Sequence, residues 1–367
     1  MPVQGLVRLR KHQFARQPAF GVKCPATRAY AFKGVPSVDL KWTDPEVDTG
    51  SLDPSAPPHR EAPDLTADLT DPQLAYDTIP LLMSAFFGGA VDPTPGATTA
   101  ETWDHAPSST TVDPIDPFVY EFGDDVMTDW YQLGDGILTS LDITGPAGLG
   151  PLTTSMSWLF GSMGSTGSTD APVNGGSGDD VPTPGLSVDP DPALVYLKDG
   201  AVYISSSPGD VFGHRISQAL HAFGLKLTRE IDQKRYADAS QTFDVDDYAT
   251  ASRAIALECT FAKTADTVGV GSESDAWMSD DAVTRYVGLR FTSRRMAEGT
   301  TPYSWDVVMP MRYYTRTEGE VGGNTAVVLT AHAFYDPTVG SGDLVGGAFA
   351  STAVTTLTSA ELGTMGS

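Results

Sequence analysis

Cysteine is nearly absent from this chain: Cys24 and Cys259 are the only two in 367 residues. They support neither a disulfide framework nor a zinc-binding spacing. Lysine is scarce too, 8 residues against 36 Asp and 11 Glu, and the formal net charge is -24. The scarcity is local as well as global. The first 38 residues hold no Asp or Glu, and the 137 residues from Glu61 to Leu197 hold no Lys or Arg. No apolar run approaches the ~18 residues that a membrane-crossing helix needs. The basic start of the chain has no apolar stretch of the kind a secretory signal carries, so synthesis in a cytosol is expected.

Chemistry is also hard to find. The six histidines (His12, His59, His105, His214, His221 and His332) form no metal-spaced pair. There is no phosphate-binding loop, nucleophile elbow or dinucleotide fingerprint. Adjacent acids at Asp124-Asp125, Asp179-Asp180, Asp246-Asp247 and Asp280-Asp281 read as solvated loop carboxylates, without the spacing of a Ca²⁺ loop. No catalytic, cofactor or metal residue is therefore assigned, and no enzyme is expected.

Alternation is what the chain does have. Ile137, Thr139, Leu141 and Ile143 alternate with Leu138, Ser140, Asp142 and Thr144. After a Gly145-Pro146-Ala147-Gly148 turn, Leu152, Thr154, Met156, Trp158 and Phe160 share a face. This predicts a long hairpin with one buried side. A second hairpin strand sets Leu225, Leu227, Arg229 and Ile231 against Lys226, Thr228, Glu230 and Asp232. Further strands are predicted over 201–205, 253–263, 286–292, 303–314 and 325–335. Cys259, inside an alternating run, is expected to be a buried thiol. One helix is predicted, with Asp77 as its cap, a stripe of Leu81, Leu82, Ala85 and Phe86, and a stop at Gly88-Gly89. A second, weaker helix is placed near 275–282. Gly134-Asp135 and Gly209-Asp210 each read as heading a strand-turn-strand unit, a trace of internal duplication. The expected class is all-β with one or two short helices.

Three stretches read as irregular: a long loop at 44–70, another at 162–192, and a Gly/Ser/Thr-rich tail over 337–367. Residues 1–38 read as a basic arm and first strand, and 39–336 as the main domain. Phe14, Phe20, Tyr30 and Phe32 lie among the basic residues and raise the possibility of a nucleic-acid arm. The anionic remainder argues against that and favours another copy as the partner. The basic residues assigned to that contact are Arg8, Arg10, Lys11 and Arg16. High Asp with low Lys fits either a salt-adapted surface or a GC-rich genome.

Several segments together resemble the major tail tube proteins of long-tailed, siphovirus-like double-stranded DNA viruses. They are the helix 79–87 with Gly88-Gly89, the stretch Thr102-Trp103-Asp104-His105-Ala106-Pro107-Ser108-Ser109, and the motifs Tyr120-Glu121-Phe122-Gly123-Asp124 and Gly134-Asp135-Gly136-Ile137-Leu138. Residues 209–238 and 285–336 resemble the family's second hairpin and closing strands. The likeness spans 26–336 as an order of elements, without a diagnostic short motif. It implies a β-sandwich or half-barrel with a flanking helix, whose long hairpins join a ring-wide β-barrel. Hexameric rings would stack around a tape measure protein, meet other tail proteins at the tube ends, and let double-stranded DNA pass without specific binding. The protein would belong to the virion tail, assembled in the host cytoplasm, with a salt-loving archaeon as one possible host. The polar hairpin faces give the candidate lumen residues: Ser140, Asp142, Thr144, Lys226, Thr228, Glu230 and Asp232. Two other readings stand beside it: another ring-forming component such as a tail terminator or distal tail protein, and an acidic Ca²⁺-binding β-rich surface protein.

Overall fold

The structure, a computed structural model, describes residues 10–22, 24–39, 41–43, 59–60, 64–87, 94–95, 100–105, 116–124, 129–146, 150–163, 186–205, 208–213, 215–216, 220–234, 245, 247–263, 285–321, 323–333 and 348–354. The chain begins with β1 (Arg10–Arg16), β2 (Arg28–Tyr30), β3 (Lys33–Asp39), β4 (Trp42–Thr43), β5 (His59–Arg60) and β6 (Asp64–Asp71). Helix α1 (Ile79–Phe87) precedes β7 (Thr94–Pro95), β8 (Ala100–His105), β9 (Phe118–Asp124), β10 (Asp129–Gly145), β11 (Thr153–Phe160) and β12 (Ser162–Met163). Then come β13 (Gly200–Ser205), β14 (Leu220–Lys234), β15 (Asp247–Ala262), β16 (Arg285–Glu298), β17 (Thr301–Val321), β18 (Asn324–Ala333) and β19 (Ala348–Val354). Short 3₁₀ turns lie at Leu197–Asp199 and Pro208–Gly213. The fold is all-β with one short helix, as the alternation predicts.

Eight strands form an antiparallel sheet in the order β3-β6-β11-β10-β14-β15-β18-β17. The first half of β10 belongs to a second sheet, β2-β1-β9-β10, with β12 beside it. The first half of β17 pairs with β16 and then β13 on the side away from β18, and with β19, β8 and β7 on the other. Followed strand by strand, the ladders branch but never return to their start, so the sheet is open.

Two bulges let β10 serve both sheets. One extra residue sits between Leu133 and Gly136 opposite β9, where Asp135 takes φ 55. Another sits between Leu138 and Ser140 opposite β11. A bulge bends its strand and reverses the facing of everything beyond it. Leu138, Leu141 and Ile143 therefore all enter the main core, whereas Ile137 joins Val245 and Tyr248 in a separate cluster. Simple alternation, which puts Ile137 with Leu141, misses this. It also misreads Gly134-Asp135 as a strand-heading turn. The pair lies inside β10, while Gly209-Asp210 lies in a 3₁₀ turn, so the two are not equivalent.

The core side of the large sheet carries Leu65, Leu69, Met156, Trp158, Leu225, Leu227, Leu257, Cys259, Val327 and Leu329, all buried in one cluster with α1. All nine residues of α1 are buried, so it is a core element rather than an amphipathic stripe. Asp77 does not act as the predicted cap. Its carboxylate accepts a 2.7 Å hydrogen bond from Arg28, and the first helical turn closes through Leu82 N–H to the Thr78 carbonyl. Gly88-Gly89 and the helix expected near 275–282 lie outside the described residues.

The segments predicted as irregular are corrected in part. Within 44–70, β5 and β6 are strands. β6 alternates strictly, with Leu65, Ala67, Leu69 and Asp71 buried, and sits between β3 and β11. Its three aspartates and short apolar residues hide a period of two. In the stretch 162–192, Ser162–Met163 pairs with β10. In the tail, Ala348–Val354 is β19, bonded to β17 and β8.

Candidate functional site

The basic residues of the chain's beginning serve the fold itself. β1 lies between β2 and β9, an interior position. Arg16 donates to Asp116 at 2.5 Å and both side chains are largely buried, so Arg16 is committed within its own chain. Arg10 lies over the Phe122 ring at 5.9 Å. Lys11 is half-buried in the same strand. β1 is thus an interior strand rather than a free arm, with Arg10 exposed at its start, and Arg8 lies outside the described residues. The nucleic-acid option fails for the same reason: Phe14, Tyr30 and Phe32 are buried and pack on one another, Tyr30 and Phe32 with ring centroids at 5.2 Å.

Two buried carboxylates lock this region. Asp135 accepts from Gly21 N–H at 2.8 Å, Ser162 Oγ at 2.6 Å and Gln17 Nε2 at 3.4 Å, and its own N–H donates to Gln17 Oε1 at 2.6 Å. Its carbonyl accepts from Tyr248 Oη at 2.8 Å. Glu121 accepts from Ala26 N–H at 3.1 Å and Gln132 Nε2 at 3.3 Å. Each carboxylate is held by several donors, which makes burial tolerable. Nearby, His12 Nδ1 lies 2.8 Å from Tyr120 Oη. Burial, with a smaller contribution from Arg10, pushes the His12 imidazole down to about 4. Burial and the Glu121 charge raise the Cys24 thiol to about 11, and burial and Glu258 hold the Cys259 thiol well above its usual range. Neither cysteine is activated.

The outer face of the large sheet gathers the seven polar residues that the sequence singles out. Ser140 lies opposite Thr228, Asp142 opposite Lys226, and Thr144 opposite Gly224. Glu230 and Asp232 continue along β14 past the end of its pairing with β10. The Lys226 ammonium is 4.0 Å from the Asp142 carboxylate, and both are substantially exposed, so this pair adds little to stability. Neighbouring strands extend the polar surface that sequence inspection left out. Ser157 Oγ donates to Asp68 at 2.6 Å, and Ser252 Oγ donates to Glu230 at 3.1 Å. A shallow groove of about 650 Å³ runs over it, bounded by Asp142, Thr144, Lys226, Glu258 and Thr330, with Gly224 at its floor. A Cβ placed on Gly224 would meet nothing within 4 Å.

The edges of this sheet are its other notable feature. β3 ends it on one side, and the part of β17 beyond Met311 ends it on the other. Among the described strands none pairs with the far side of either. β3 is partly or fully exposed at all seven positions, and Val35 is 49 % exposed. Seven antiparallel steps separate the two edges, so they run in opposite directions.

The chain matches no protein-family model and no curated protein. Among the described residues no three His, Cys, Asp or Glu side chains gather as metal ligands, and no helix is long and apolar enough to cross a membrane.

Proposed function

We propose that the protein is a structural, ring-forming subunit of the tail tube of a long-tailed double-stranded DNA virus. Hexameric rings would stack around a tape measure protein, meet other tail proteins at the ends, and later conduct DNA. The observation that carries the reading is the open eight-stranded sheet. Its two edges are exposed and opposite in direction, so identical copies joined head to tail continue one antiparallel sheet and leave no unpaired edge once the ring closes. A single chain with such edges is an aggregation hazard unless assembly consumes them.

The polar face supports the same reading. It offers Asp68, Asp142, Glu230 and Glu258 around Lys226, a surface that phosphates would not adhere to. Ser140, Asp142, Thr144, Lys226, Thr228, Glu230 and Asp232 are the proposed lumen residues. The excess of Asp over Lys fits assembly at high salt, where the Debye length is about 3 Å at 1 M and carboxylates repel weakly.

Negative-stain electron microscopy of the purified protein across a salt series tests the proposal. Long hollow tubes are expected. Isolated rings that never stack would point to a tail terminator or distal tail protein. A monomer at every concentration and salt would reject the assembly reading.

A further inference from the structure

The hydrogen-bonding direction of every residue in the large sheet can be worked out from one end. Val321 faces Asn324 across a two-residue connection in which Gly323 has φ 81. Such a tight hairpin makes its flanking residues a hydrogen-bonded pair. Pairs then alternate, so Val321, Gly319, Thr317 and Thr315 bond to β18, and the intervening residues aim their backbone groups out of the sheet. Carried across the seven ladders, the same alternation brings Ala67 into a bonded pair with Trp158. That leaves Ser37 and Val35 bonded to β6, with Gly34, Pro36 and Val38 aimed outward. The Lys263 N–H to Thr325 carbonyl bond, at 3.1 Å, has the parity this count requires between β15 and β18. Proline agrees from the opposite end, since it has no N–H and belongs where no ladder bond is needed.

Resting on the self-assembly proposed above, we infer that β3 of one copy pairs with Thr315–Val321 of the next, and that Pro36 limits this seam by withholding one backbone donor. Beyond the irregularity between Arg312 and Thr315, the regular part of this edge is Thr315–Val321, the same seven-residue length as β3, and full overlap of the two regular stretches sets the register. It places Ser37 opposite Thr317 and Val35 opposite Gly319. Val35, one of the few large apolar residues left exposed among the described residues, then lies over a residue without a side chain. The polar sides of the two sheets fall on the same face. Pro36 sits at the centre, where its carbonyl accepts but nothing is donated. A single seam is therefore weak, and a lone pair of copies separates readily. Closure of a whole ring holds all seams together, so rings form cooperatively and stray edge pairing is suppressed.

Two measurements test this on the full chain. First, Ser37→Cys protein mixed with Thr317→Cys protein should form a disulfide-linked heterodimer on mild oxidation, while each variant alone should not. Absence of that heterodimer under conditions where wild type assembles overturns the seam and leaves the tube reading standing. Second, Pro36→Ala restores the donor at an exposed edge position. The concentration needed for assembly, measured by sedimentation, should fall roughly two- to tenfold, the value of about one hydrogen bond. Val38→Pro removes a second outward donor and should raise it. Its folded state is checked by thermal melting, and Pro36→Ala keeps the test decisive if that variant fails to fold. Equal thresholds for wild type and Pro36→Ala overturn the role of Pro36. Ribbons from Pro36→Ala alone, with wild type monomeric, would support the edge restraint and reject the tube. No assembly by either protein would reject both.

Discussion

The sharpest stability prediction concerns His12. The imidazole is 3 % exposed, ringed by Phe32, Tyr120 and Phe122, and bonded to the Tyr120 hydroxyl. Burial, then the charge of Arg10, lowers its pKa from 6.5 to about 4. A lowered histidine pKa means that the unfolded chain takes up a proton which the folded chain refuses. The stabilisation is complete above pH 6.5 and is lost as pH falls toward 4. A shift of that size corresponds to about 3 kcal/mol.

Net charge also changes over this range, so wild type alone cannot isolate the effect. Asp71, whose pKa is raised mainly by burial, contributes in the opposite sense by holding its proton in the folded state. The comparison protein is His12→Phe, which shares every other titration. At pH 7 this variant is expected to be less stable, because the Tyr120 hydroxyl loses its partner at a cost of about 1–3 kcal/mol. Urea titrations at several pH values should show the stability gap moving by about 3 kcal/mol in favour of the variant between pH 7 and 4. Parallel stability curves over that interval would refute the buried neutral imidazole.

Two further contrasts test the backbone of β10. Asp135→Ala removes the acceptor for Gly21, Ser162 and Gln17 while keeping a side chain at φ 55, and should cost about 3 kcal/mol or more in denaturant unfolding; Asp135→Gly should cost about 1 kcal/mol less, because only the backbone strain is relieved. A Cβ on Gly136 would lie 2.5 Å from Phe160 Cε1 and 2.8 Å from the Phe118 carbonyl, whereas one on Gly224 meets nothing, so Gly136→Ala should lower the melting temperature clearly and Gly224→Ala should leave it nearly unchanged.

Alternation made the long strands legible. β10, β11, β14 and β15 carry runs in which every second residue is apolar, and burial follows the same residues. It failed where geometry departs from a regular period. The bulge at Thr139 cannot be read from Ile137-Leu138-Thr139-Ser140, because both parities there contain apolar residues. β6 was hidden because Asp64, Asp68 and Asp71 surround only three apolar side chains, and acidity suggested solvent. α1 reads as an amphipathic helix by its leucines, yet Met83, Ser84 and Phe87 are as buried as the stripe, since β10, β8 and β19 all pack against it. Ser140, Asp142 and Thr144 share the outer face with Lys226 and Thr228 because neighbouring strands keep a common parity, and Glu230 and Asp232 continue the same alternation along β14. The edges were not visible, because strand order is a property of long-range pairing.

The charge segregation has a consequence for folding that composition alone would not reveal. A lysine- and arginine-free stretch of 137 residues cannot neutralise its carboxylates locally. The fold brings the remedy from far along the chain: Arg28 reaches Asp77, Arg16 reaches Asp116, Lys41 reaches Asp64, Lys226 approaches Asp142, and Arg295 reaches Asp191. The first two pairs are mostly shielded from solvent, where opposite charges count for more than at the surface, while the others are exposed and screened by salt. The basic segment thus acts as a clasp on its own acidic body. Arg16 of β1 is tied to Asp116 just ahead of β9, and Arg28 of β2 is tied to Asp77 just ahead of α1. On the outer face of the large sheet the ion pairs are solvent-exposed ones, Lys41 with Asp64, Lys226 with Asp142 and Lys263 with Glu318, and they leave carboxylates at the surface proposed to face passing DNA.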